Sequence, residues 1–88
     1  MGFFVYIIRS DFDHSYYKGF SERPFDRLIE HNSGMSNYTS NKIPWQLVYV
    51  EELVSKREAL IREKALKKYS HQQIEKLILS TKNTLNYL

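Results

Sequence analysis

Residues 3–9, Phe-Phe-Val-Tyr-Ile-Ile-Arg, set β-branched and aromatic side chains at both parities, the pattern of a central strand covered on two faces. Ser10 to Ser15 is polar and reads as a hairpin loop, followed by a second strand over Tyr16 to Phe20. Ser21-Glu22-Arg23-Pro24 then offers a capping hydroxyl and an early proline, which predicts a helix from about 23 to 33 with Phe25, Leu28, Ile29 and Asn32 along its inner stripe. Residues 33–44 are rich in Ser and Asn and form a loop. Trp45 to Glu52 alternates Trp45, Leu47 and Tyr49 against Gln46, Val48 and Val50, a third strand. Ser55 with Glu58 opens a helix to about Tyr69, and Ser70 with Gln73 opens a last one over about 71–80. The order β-β-α-β-α-α, with a hairpin first and the helices later, predicts an α+β fold. Its small, three-stranded, mostly antiparallel sheet would be flanked by helices, with one domain over 1–80 and a frayed tail over 81–88.

With 88 residues there is room for one domain. Cysteine is absent, so neither a disulfide framework nor a thiolate zinc site can support a small core. Seven Tyr and five Phe supply that core instead. Thirteen Lys and Arg against ten Asp and Glu leave +3, a mild basicity that permits a polyanionic partner without establishing one. The apolar run from Gly2 to Ile8 is too short to cross a bilayer and has no cleavage-site pattern behind it, so a cytoplasmic protein without a membrane partner is expected.

Some residues depart from a plain structural pattern. On the wheel of the 56–69 helix, with Ala59 at zero, Leu66 falls at about 340° and Glu63 at about 40°, which centres a carboxylate on the apolar face. It serves either an ion pair or a function, because an unpartnered buried charge is costly. Arg27 and His31 lie four apart and flank the inner stripe of the first helix. The pair suits phosphate binding with proton transfer, or simply faces solvent. Tyr6 and Tyr17 sit on the two hairpin strands, as core rings or as working phenols. Gly19, inside a strand, marks a bulge or a close approach. His14, His31 and His71 lack ligand spacing, so zinc is not expected. Residues 55–70 carry six basic and two acidic side chains, a solvated face or a phosphate-tracking surface.

Five stretches together resemble the GIY-YIG nuclease domain in its compact single-domain form, related to the nuclease half of the bacterial excision-repair C subunit and to Slx-type nucleases. Val5-Tyr6-Ile7 resembles the first motif, with Phe4 in place of the glycine, and Tyr17-Lys18-Gly19-Phe20-Ser21 the second. Arg27-Leu28-Ile29-Glu30-His31-Asn32 is similar to the helical signature, Tyr38-Thr39 and Pro44 to Glu52 to the loop and third strand, and Glu58 to Glu63 to the helix with the metal-binding carboxylate. The resemblance covers about residues 3–78. It implies a metal-dependent endonuclease cutting DNA phosphodiesters, in repair or recombination. Tyr6, Tyr17, Arg27 and His31 would be catalytic and gather with Glu63 on one concave face, where Glu63 would hold one Mg²⁺ or Mn²⁺. The space at Gly19 would admit a phosphate. Lys18, Tyr38, Arg57, Lys64, Lys67 and Lys68 would be the nucleic-acid contacts of a monomer. A non-catalytic nucleic-acid-binding module of the same fold is the alternative. The family's late asparagine has no assigned counterpart, since Asn83 and Asn86 fall in the expected tail.

Overall fold

The computed structural model describes residues 2–87. Its elements are β1 (Phe3–Ser10), β2 (Tyr16–Ser21), α1 (Pro24–Asn32), β3 (Trp45–Leu53), α2 (Lys56–Leu66) and α3 (His71–Ile78), with short 3₁₀ turns at Ser40–Lys42 and Thr84–Tyr87. The order and the antiparallel α+β architecture are those expected. β1 is the central strand of a sheet ordered β2-β1-β3. Among the described residues no helix is long and apolar enough to cross a membrane.

Because β1 is apolar at both parities, the sheet has two dry faces. Tyr6 and Ile8 point to one, where Trp45, Val50, Leu28 of α1 and Leu85 pack against them. Val5 and Ile7 point to the other, packed on Tyr49, Ala59 and Leu66 of α2, and Ile74 and Leu77 of α3. The simple alternation expected in β3 fails at one place. The register shifts between Ile7, paired with Tyr49, and Ile8, paired with Leu47, so Val48 is an extra residue in a bulge. Trp45 and Leu47 therefore share a face with Val50 and not with Tyr49.

The helix starts follow local chemistry unevenly. Ser55 accepts the Glu58 backbone N–H, and Ser70 with Gln73 forms a full capping box. Ser21 accepts the Arg23 backbone N–H at 2.9 Å, two residues too early to cap α1, whose cap residue is Arg23. Nor is the inner stripe of α1 the expected one. Phe25 and Ile29 are exposed, while Pro24, Leu28 and His31 turn inward.

The segment after α3, expected to fray, is fastened to β3. Asn83 is buried, and its amide accepts from the Val50 N–H at 3.2 Å and donates to the Val48 carbonyl at 2.9 Å. Thr84 donates to the Val50 carbonyl at 2.8 Å. Asn32, at the end of α1, holds both backbone groups of Trp45 in the same way.

Candidate active site

Tyr6 of β1 pairs in register with Gly19 of β2. A Cβ at Gly19 would lie 2.5 Å from Cζ and the hydroxyl of Tyr6, so the missing side chain makes room for the Tyr6 ring and not for a phosphate. The ring crosses β2 there, and its hydroxyl meets His31 Nε2 at 3.0 Å. Nδ1 of His31 lies 2.9 Å from the Thr39 hydroxyl. Tyr6, His31 and Thr39 are all buried. The expectation that His31 flanks the core is thus corrected. Its polarity is tolerated inside because both ring nitrogens have partners, one from a strand and one from the loop after α1.

Tyr17 packs its ring 5.0 Å from His31 and 6.5 Å from Tyr6, and the tilted Tyr38 ring lies 5.6 Å from it. Arg27 is partly exposed and ion-paired with Glu30 one turn on, an i,i+3 partner visible in the sequence. That hydrogen bond raises the Arg27 pKa and keeps the guanidinium charged. Burial pushes the Tyr6 phenol up to about 12, with the Arg27 hydrogen bond working against it and the charges of Tyr17 and Glu63 adding to it. Burial and then the Arg27 charge hold His31 below its usual 6.5, so the imidazole is neutral at pH 7.

Four of the five expected catalytic and metal residues, Tyr6, Tyr17, Arg27 and His31, therefore gather on the α1 face. Glu63 does not share that face. It belongs to α2, packed on the other side of the sheet, with its carboxylate 3.8 Å from Lys67 and its side chain 20% exposed. Its charge still adds to the rise of the Tyr6 pKa, and its partner Lys67 borders the β2 edge of the sheet. Along that edge Tyr16, Tyr17, Lys18, Tyr38 and Lys67 line an open cleft of about 490 Å³, where burial lowers the Lys18 pKa.

Arg57 and Lys64 are exposed on the side of α2 facing away from Ala59 and Leu66, Lys68 is exposed in the turn after the helix, and none of the three lines the cleft. Sequence reasoning gave Thr39 no role, since nothing in a spacing of eight residues ties a loop threonine to a helix histidine. Asn83 was likewise unassigned; it is the clamp on β3 described above.

A family profile described as the GIY-YIG catalytic domain matches residues 2–86, and the chain belongs to the GIY-YIG family. Its similarity is to the group of UPF0213 proteins. The Staphylococcus epidermidis member is 42% identical over 76 residues, spanning 85% of this chain and 92% of the relative. The Staphylococcus saprophyticus member is 41% identical with the same coverage. The solution NMR structure of a UPF0213 protein from Bacillus halodurans superimposes with a TM-score of 0.59 at 31% identity, covering 93% of this chain and 87% of that one. The family implies a nuclease-type function, and its nucleases typically depend on a divalent metal. Among the described residues no three His, Asp or Glu side chains form a metal-binding group.

Proposed function

We propose that this protein is a metal-dependent DNA endonuclease, with Tyr6, Tyr17, Arg27 and His31 as its catalytic groups and Glu63 as its metal ligand. The observation that carries the reading is the hydrogen bond between Tyr6 and a buried, neutral His31 beside Arg27. A phenol pushed up to about 12 is a weak acid and is not a free phenolate at neutral pH. The Tyr6 oxygen therefore takes a proton from the attacking water while its own proton passes to Nε2 of His31. The base strength required is that of an imidazole, which is available at pH 7. As water adds to phosphorus and the P–O3′ bond breaks, Arg27 balances charge on the phosphoryl oxygens. Tyr17 walls the pocket.

Glu63 suits a hard divalent cation. A single carboxylate, partly open to water and paired with the exposed Lys67, matches Mg²⁺ or Mn²⁺, which retain several waters. When bound, the metal supplies a Lewis acid for the scissile phosphate and the leaving oxygen. Lys18, Lys67 and Tyr38 at the cleft would grip the strand, with Arg57, Lys64 and Lys68 giving a weaker, more distant attraction. A role in repair or recombination fits such an activity.

The test is cleavage of duplex, flap, branched and single-stranded DNA with Mg²⁺ or Mn²⁺. The parent should cut at least one of these, and Glu63→Ala and Tyr6→Phe should not. A parent that binds DNA but cuts none with either metal would reject the enzyme in favour of a binding module.

A further inference from the structure

We propose that Thr39 is a positioning residue for this chemistry, its hydroxyl oxygen accepting the Nδ1–H of neutral His31 and so presenting the Nε2 lone pair to the Tyr6 hydroxyl. The tautomer and its consequence for cleavage rest on the nuclease reading above, whereas the contact at each ring nitrogen rests on geometry. Both ring nitrogens are in contact, Nε2 with Tyr6 at 3.0 Å and Nδ1 with Thr39 at 2.9 Å, and a neutral imidazole carries one proton between them. In the reaction proposed above the Tyr6 proton passes to Nε2, which requires that nitrogen to be unprotonated and leaves the imidazole proton on Nδ1, where the Thr39 oxygen is the group in reach to accept it. The other tautomer would leave Nε2 unable to take a proton.

The loop is built to keep Thr39 in place without using its hydroxyl. The Thr39 carbonyl accepts the Trp45 indole N–H at 2.9 Å, and its N–H donates to the Ser36 carbonyl at 3.2 Å. Removing the hydroxyl should therefore change the tautomer and not the loop.

The experiment is ¹⁵N-edited NMR of the histidine rings in the uniformly labelled full chain at neutral pH, paired with the cleavage assay. His31 in the parent should be protonated at Nδ1 alone, and Thr39→Ser should keep both that signature and the rate. Thr39→Val should take His31 out of the single tautomer and slow cleavage about tenfold, the loss expected for one hydrogen bond. The Trp45 indole signal should stay in place as the control for an intact loop. A parent protonated at Nε2, or a folded Thr39→Val with unchanged His31 signals, would overturn the proposal. Should Thr39→Val fail to fold, the parent and Thr39→Ser spectra still decide the tautomer. If His31 behaves as expected but the parent cuts no DNA with either metal, the Thr39 contact stands and the nuclease reading falls.

Discussion

The two faces of the sheet each bury one tyrosine with a bonded hydroxyl, yet the two are built for different ends. Tyr49 donates to Glu51 at 2.6 Å, and Glu51 also accepts from Arg62 Nε at 3.0 Å. Arg62 in turn reaches the Tyr69 hydroxyl at 3.3 Å. Burial and the Glu51 hydrogen bond both raise the Tyr49 pKa, so its proton is fixed. Tyr6 is equally buried, but its partner is a neutral imidazole that can accept a proton, and Arg27 pulls its pKa the other way. Burial alone does not make a phenol inert or reactive. What matters is whether the group behind it is already charged and satisfied or still able to take a proton.

The sharpest way to break this comparison is to remove each hydroxyl in turn. Tyr6→Phe should lower cleavage by about 10²–10⁴, the usual worth of a positioned proton-transfer group. Tyr49→Phe should leave the rate unchanged and cost about 1 kcal/mol in urea unfolding. Equal losses of activity in both would mean that the faces are not distinct.

Next in size is Glu51→Gln. It strands the mostly buried Arg62 charge, whose side chain is 18% exposed, and should cost about 2–4 kcal/mol of stability without touching the cleavage rate. A neutral melt would show the Glu51–Arg62 pair to be dispensable.

Gly19→Ala comes third. Its Cβ would push the Tyr6 ring off Nε2, so cleavage should fall about tenfold while the Tyr49 network is undisturbed. Retained activity would place the Tyr6 hydroxyl elsewhere in the working enzyme.

The smallest effect is with pH. The folded His31 titrates below the ordinary 6.5, so below that pH the unfolded chain binds more protons than the folded one. The contribution of His31 is complete above 6.5 and is lost as pH falls, by at most about 1.4 kcal/mol per pH unit. Thermal melts between pH 7 and 5 should show a gentler decline in His31→Gln than in the parent.

Strand and helix positions were legible because the local patterns are strong. β1 is apolar at both parities, and Ser55 and Ser70 stand three residues before the Glu58 and Gln73 that complete the capping signal. The burial of His31 was not legible. The wheel of α1 favours Phe25 and Ile29 as inner residues, and only the partners from Tyr6 and Thr39, 25 and 8 residues away, make an inward imidazole tolerable. Glu63 stood out on its wheel, but α2 is inward at Ala59 and Leu66 with Leu60 exposed, and no periodicity says which face of a sheet a helix will cover. The order of α2 after β3 is shared by either arrangement. Asn83 was placed in the tail and given no role for the same reason as Thr39: its bonds run 33 and 35 residues back to β3.

Those asparagine bonds bear on how the molecule behaves among its own copies. β3 is a terminal strand of the sheet, and Asn32, Asn83 and Thr84 occupy backbone groups of Trp45, Val48 and Val50 that would otherwise be open to a foreign strand. Side-chain amides thus act as a seam against edge-to-edge pairing, where many sheets use a charge or a proline. A chain ending before Asn83 would retain every strand and α-helix, yet its defect should surface as self-association that grows with concentration.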